Sequence, residues 1–442
     1  MTDSNLPVAI VGAGPIGLAA AAHLIERDIE VVVFEAAAEV AASQRAWGHV
    51  RLFSPWRYNV DKAAARLLEA KGWRAPNPEL LPTGAQLSEL YLQPLAAIAP
   101  IQRSLRVDHR VIAITRHGLD KIRTKGREAV PFLLRTQRST GQVEEFRARA
   151  VIDASGTWWS PNPLGAAGIA ALGEAELAHL IHYGIADVVG AQRDRYAGRT
   201  TLVVGAGHSA ANTILGLAEL ARQSPNTKIH WATRSDNLTR VLGGGENDGL
   251  PARGKLGSDL QQLMDQGLLT LTRGFRIEAV GQSEGKLTVS GTKDGQPHAL
   301  TGIDSIVAAT GQRPELAMTR ELRLSLDPAL ECALALAPLI DPNEHSCGTV
   351  RPHGALQLSH PEPNFYVVGS KSYGRAPTFL LATGYEQVRS IAAMIAGDLA
   401  AASRVELDLP ATGVCVSDLA DVGEPSSGGC CPPAKTAKKS CC

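Results

Sequence analysis

The sequence predicts an α/β fold made of two parallel-sheet units, followed by a tail of different character. Three observations point there. The chain has 442 residues, more than one hydrophobic core usually supports. An apolar strand running into a glycine-rich turn and a helix occurs twice, at Val8 and again at Thr201. Beyond about residue 410 the composition shifts to Gly, Ser, Pro, Lys and Cys. With 44% hydrophobic and 20% charged residues, the rest is ordinary globular sequence. Lys+Arg and Asp+Glu stand at 44 each, so no basic excess marks nucleic acid or an anionic membrane as partner. The opening residues lack the basic and apolar segments of a secretory signal. No apolar run reaches the ~18–20 residues of a membrane helix. A cytoplasmic location is expected.

In the first unit, Val8–Val11 reads as a buried strand and Gly12-Ala13-Gly14-Pro15-Ile16-Gly17 as its turn. Leu18 to Ile25 reads as a helix, and Val31–Phe34 as the next strand, ending at Glu35. Each residue has a physical task in a dinucleotide site. Gly12 permits the tight turn, Gly14 lets backbone approach a pyrophosphate, and Gly17 lets helix and strand pack closely. Unpaired N–H groups and the dipole of the helix start face the phosphates, while Glu35 is placed to accept from ribose hydroxyls.

The second unit repeats the design. Thr201–Val204 is a strand, followed by Gly205-Ala206-Gly207-His208-Ser209-Ala210 and a helix from Ala211. Ala210 takes the third glycine's place, which governs only packing. The next strand, Lys228–Ala232, leads to Arg234 where the first unit has Glu35. An arginine there suits the extra phosphate of NADP. Two dinucleotide sites in one chain imply one resident cofactor and one visiting; FAD with NADPH is the pairing that passes hydride between them.

Two apolar strands run into small-residue turns, Val151–Thr157 through Gly156 and Ile306–Pro314 through Gly311. Asn364–Ser370, through Gly369, is another buried strand, and Thr378 is read as the cap of a helix reaching about Ala396. That helix start is placed to face a flavin edge. Arg45-Ala46-Trp47-Gly48 and the segment holding Phe53, Trp56 and Tyr58 concentrate aromatics in a chain with only 5% of them. These are read as a flavin-adjacent pocket, with packing at a domain seam as the bland reading. The glycine-rich stretch Gly243–Gly249 reads as a loop.

Together these motifs resemble the two-dinucleotide-binding-domain flavoproteins, which include thioredoxin reductases and class B flavin monooxygenases. The resemblance implies a discontinuous FAD domain, residues 1–163 and 316–410, with an NADPH domain, 164–315, inserted and a flexible tail, 411–442. Residues 1–331 contain no cysteine, so the redox pair of the disulfide reductases is missing from both of its usual places. The Phe53-Ser54-Pro55-Trp56 segment, the Gly156-Thr157-Trp158 turn and Gly205–Ser209 look most like flavin monooxygenase-like proteins associated with arsenic-resistance operons. That membership implies oxygen as co-substrate, a C4a-peroxyflavin, and a soft nucleophile such as a trivalent arsenical as substrate. The family's fingerprint before the second turn is not met: Gly173, His179, His182 and Tyr183 are there without its phenylalanine. No catalytic side chain is assigned.

The cysteines leave alternatives open. Cys332 and Cys347 lie too far apart for a CxxC pair, and Cys415 with the doublets Cys430-Cys431 and Cys441-Cys442 crowds into the tail. Vicinal thiols suit soft cations, so the four doublet cysteines are candidate metal ligands. They support a second reading, a reductase passing flavin electrons to tail thiols or a tail-bound metal. A third is an FAD-bound redox or metal sensor without turnover.

Overall fold

The computed structural model describes residues 5–243, 251–343, 352–376 and 379–407. Thr378, Cys347, most of the glycine-rich loop after Gly243 and all five tail cysteines lie outside these residues. The chain is a mixed α/β protein with parallel, Rossmann-like sheets.

Strands β1 (Val8–Val11), β2 (Val31–Phe34) and β3 (Leu105–Arg106) come first. An antiparallel sheet of β4 (Arg110–Arg116), β5 (Phe132–Gln137) and β6 (Val143–Ala148) follows, then β7 (Ala150–Asp153). The second half supplies β8 (Ile181–Tyr183), β9 (Thr200–Val204), β10 (Lys228–Ala232) and β11 (Thr270–Thr272). A second antiparallel sheet, β12 (Phe275–Ser283), β13 (Lys286–Lys293) and β14 (Gln296–Ile303), precedes β15 (Ser305–Ala308) and, much later, β16 (Phe365–Val367). The two parallel sheets run β16-β7-β1-β2-β3 and β11-β10-β9-β15-β8. The first therefore takes strands from both sides of β8–β15.

Side-chain alternation makes each unit three layers thick. From β1, Val8 and Ile10 enter the core formed with the helices Pro15–Ile25 and Leu381–Ile395. Ala9 and Val11 enter the opposite core, against Ile114, Phe132 and Leu134 of the antiparallel sheet. The second unit repeats this: Val203 faces the helices His208–Gln223 and Pro251–Asp265, while Leu202 and Val204 face β12–β14.

Both turn helices start earlier than the apolar pattern suggests, at Pro15 and His208, because the glycine turn runs straight into the first helical turn. Proline suits that first position, where its missing N–H costs nothing. The helix expected from Thr378 spans Leu381–Ile395, with Leu380 at its N-cap.

A buried charge cluster ties the first antiparallel sheet to the late segment. Glu362, fully buried, meets Arg116 and Arg127 at 2.7 Å each and also accepts from the Arg323 amide. The Arg116 guanidinium lies 3.7 Å above the Phe132 ring. Burial alone would raise the Glu362 pKa; hydrogen bonds from Arg127 and Arg116 outweigh it and hold the carboxyl below its ordinary value.

Candidate functional site

Both glycine turns have the same steric signature. Gly12 has φ +100°, and a Cβ there would lie 2.7 Å from the Ala154 carbonyl oxygen. Gly205 has φ +132°, and its Cβ would lie 2.2 Å from that of Ala309. Each first glycine is thus pinned against the turn of the neighbouring parallel strand. The second glycines are open. A Cβ on Gly207 would meet nothing within 4 Å, and one on Gly14 only Gln44 Oε1 at 3.8 Å. At the third position, a Cβ on Gly17 would fall 1.9 Å from the Gly12 carbonyl oxygen, whereas Ala210 fits fully buried in the second core.

Glu35 stands at the end of β2 and closes the first turn. Its two oxygens accept from the Ala13 amide at 2.8 Å and the Ala37 amide at 2.9 Å. Each retains acceptor capacity for a ribose hydroxyl. The short helix Ala42–Ala46 lies over the same turn, anchored by Ala41 N–H donating to the Ala13 carbonyl at 3.1 Å. It brings Gln44 beside Gly14, and Gln44 Oε1 is buried without a hydrogen-bond partner. A buried acceptor with no partner beside an open glycine cradle is what a hydroxyl-rich dinucleotide would satisfy. These residues fit FAD. Arg45 instead holds its own loop, bonding the Val40 carbonyl at 2.6 Å and pairing with Glu39 at 3.0 Å.

Trp47 follows, packed so closely on Gly84 that a Cβ there would lie 2.5 Å from its ring. Its ring centroid is 6.4 Å from that of Trp158, which in turn covers Gly184, where φ is +105°. The two tryptophans so bring together the loop after β2, the turn after β7 and the turn after β8. Phe53 reaches further: its ring is 5.2 Å from that of His208, the first helical residue of the second turn. The aromatic segment therefore joins the seam between the two units.

Gly156, Gly311 and Gly369 all have positive φ, at +70°, +83° and +71°. Gly156 and Gly369 belong to turns held together by Lys371, whose Nζ lies 2.7 Å from Asp153 Oδ2 and donates to Ser155 Oγ at 3.0 Å. Gly311 lies where the two chain crossings run side by side. Asn162 N–H donates to the Gly311 carbonyl at 2.9 Å, Thr310 Oγ1 to the Asn162 carbonyl at 2.6 Å, and Arg313 N–H to Ser160 at 3.0 Å.

In the second turn, the Trp231 indole donates to the Gly205 carbonyl at 2.7 Å, fixing the loop from the next strand. Ser209 occupies the second position of the following helix. Arg234 is exposed beyond β10, with a 3.2 Å bond to the Ala166 carbonyl. Tyr183 is a structural anchor: its phenol meets buried Glu174 at 2.5 Å, and Glu174 also accepts from the Leu164 and Ala171 amides. Among the described residues no group of His, Cys, Asp and Glu forms a metal site, and no helix is long and apolar enough to cross a membrane.

The sequence readily shows the glycines and Glu35. It does not show Gln44, Asn162, Phe53–His208 or Lys371. The signal for Lys371 is a lysine within an otherwise apolar and small run, and for Asp153 an acid ending a buried strand.

Comparison with known proteins agrees with this geometry. A search of curated proteins found no match. Bacillithiol disulfide reductase Bdr from Bacillus cereus is similar in structure, with a TM-score of 0.65 and 18% identity over 89% of this chain and 99% of that one. The FAD-bound cadaverine monooxygenase DfoA from Erwinia amylovora gives 0.60 and 11%, over 92% and 98%. An ornithine N-hydroxylase from Kutzneria sp. 744, solved with reduced FAD, NADP+ and L-ornithine, gives 0.55 and 16%, over 89% and 98%. The family described as FAD dependent oxidoreductase matches residues 7–403, and the chain belongs to it.

Proposed function

We propose that this FAD-dependent oxidoreductase is an NADPH-consuming monooxygenase acting on a soft nucleophile, such as a trivalent arsenical or a thioether, with an amine nitrogen as the harder alternative. One observation carries the reading: among the described residues the cofactor turns have no thiol relay. Residues 1–331 hold no cysteine, and Cys332, the cysteine among the described residues, is buried. Burial, with Asp327 nearby, pushes its thiol up to about 12, far from a reactive thiolate.

The residues divide the work between two cofactors. Amides of the Gly12–Gly17 turn would take the pyrophosphate of FAD, with Glu35 and Gln44 meeting its hydroxyls. The Gly205–Ala210 turn would take NADPH, with Arg234 at the 2′-phosphate. Trp47 and Trp158 would wall the reacting space and keep water out. When bound, FAD supplies two-electron acceptance from NADPH and two-electron reduction of oxygen, one oxygen atom passing to substrate and the other leaving as water. The domain limits at 163, 315 and 410 belong to this proposal.

The test uses the full chain and a truncation after Pro410, with phenylarsine oxide, methyl phenyl sulfide and a primary amine. NADPH loss, oxygen uptake and oxygenated product are measured together. Equal amounts of all three with one substrate, retained after truncation, support the oxygenase. NADPH oxidation without oxygenated product, abolished by truncation, overturns it in favour of electron transfer to the tail thiols.

A further inference from the structure

The helix Pro15–Ile25 carries the glycine turn at its start and a separate cavity at its end. This space of about 610 Å³ lies between His23, Glu26 and Arg27, the segment Arg57–Lys62, and the face of Leu381–Ile395 bearing Ala382, Tyr385, Glu386 and Arg389. Its size is in the range of small-molecule sites. The alanines before it, Ala19 to Ala22, are fully buried, so the helix layer packs closely and then opens here.

The floor is polar and buried. His23 Nε2 lies 2.9 Å from Asp61 Oδ2, while Asp61 Oδ1 accepts the Ala64 amide at 2.9 Å. The Asp61 amide donates to Tyr91 Oη at 3.1 Å, and Tyr385 Oη donates to the Asn59 carbonyl at 2.8 Å. Tyr91 belongs to a π-helical turn, Ser88–Leu92, a local irregularity often found at functional sites. None of these groups serves the dinucleotide turns.

Charge at the mouth is unevenly matched. Arg66 is held by Glu26 at 2.6 Å, Arg389 by Glu386 at 2.7 Å, and Arg57 by Glu79. Arg27 donates to the His23 carbonyl at 3.0 Å, and neither it nor Lys62 has a carboxylate partner among the described residues. Arg27 and Lys62 therefore border the cavity together with Glu406, which lies 3.8 Å from Arg389 and 3.5 Å from Arg404, and the apolar part of the wall is Val60, Ala382 and Leu407. Lys62 is exposed and Arg27 half-buried, so both can turn charged donors toward an anion entering the cavity.

We propose that this cavity binds a small organic anion, a carboxylate or phosphate ester on an apolar body. Arg27 and Lys62 meet its headgroup, and Val60, Ala382 and Leu407 its body. The test titrates the FAD-loaded full chain with 2-naphthoate, 2-naphthyl phosphate and neutral 2-naphthalenemethanol, following probe fluorescence. At least one anion should bind tenfold or more tightly than the alcohol, and the two anions identify the preferred headgroup. The double variant Arg27→Gln/Lys62→Gln should lose tenfold or more for that anion and leave the alcohol unchanged. Ala382→Trp should fill the cavity and abolish binding of all three. Equal affinity for alcohol and anions, no anion binding, or anion binding untouched by the double variant would each overturn the proposal.

Discussion

Lys371 and Asp153 form a fully buried ion pair, 2.7 Å from Nζ to Oδ2, that joins the turn after β7 to the turn after β16. Its alignment is that of a close charge contact more than a hydrogen bond, and Ser155 completes it: Ser155 Oγ donates to Asp153 Oδ1 at 2.6 Å and accepts from Lys371. Removing one partner leaves the other's charge stranded, which costs roughly 3–5 kcal/mol in a buried pair. Lys371→Met should therefore lower the urea midpoint and the bound FAD sharply. Lys371→Met/Asp153→Asn should recover much of both. A double variant no better than the single would show that the pairing does not set the loss.

The two glycines of the second turn should behave oppositely. Gly205→Ala forces a Cβ at φ +132° into the Ala309 carbonyl and should destabilise the fold. Gly207→Ala enters open space, so its melting temperature should match wild type. Its methyl would stand where a pyrophosphate must approach, and NADPH affinity should fall tenfold or more. Isothermal titration beside thermal melts separates the two effects.

Arg234→Ala should raise the KM for NADPH about tenfold or more and change that for NADH less than about twofold, since only the first has a 2′-phosphate to lose. Steady-state kinetics with both nucleotides decides it; equal losses would assign Arg234 no role in the choice.

Acid should act through Glu362. Its folded pKa is held below the ordinary carboxylate value, so its stabilisation is fully present above about pH 4.3 and is lost as pH falls through the folded pKa. Wild-type melting temperature should fall as pH drops below about 4.3. Glu362→Gln should melt lower at neutral pH, with Arg116 and Arg127 uncompensated, and show a shallower acid slope.

Phe53→Ala removes the ring packed on His208 and should alter NADPH binding while sparing FAD content. Fluorescence titration with NADPH and the flavin-to-protein absorbance ratio report the two. A loss of FAD with unchanged NADPH affinity would place Phe53 in the first unit's core instead.

What could be read in advance was local. A glycine turn announces itself because strand, turn and helix are consecutive, and β1, β2 and β10 fall where the apolar runs place them. The remaining features depend on partners distant in sequence. Asn162 bonds Thr310 across 148 positions, Lys371 bonds Ser155 across 216, and Arg116 bonds Glu362 across 246. No periodicity encodes such pairs. Tyr183 is instructive in another way: it sits where the monooxygenase fingerprint is sought, and its phenol is engaged by Glu174, a buried carboxylate nine positions earlier.

The side-by-side crossings also bear on how the chain closes on itself. Strand β16 must find β7 across the whole second unit, a long loop for a polymer to close. Yet Asn162 and Gly311 stand 2.9 Å apart, N to O, so everything between them departs and returns at one point. Once folded, that stretch counts as a single link in the contour of its host. The loop β16 must close is then the short run from β7 to Asn162 and the longer one from Gly311 to Phe365. Since loop entropy grows by only about 0.6 kcal/mol per doubling of length, an insertion with apposed ends is nearly free to the sheet that carries it.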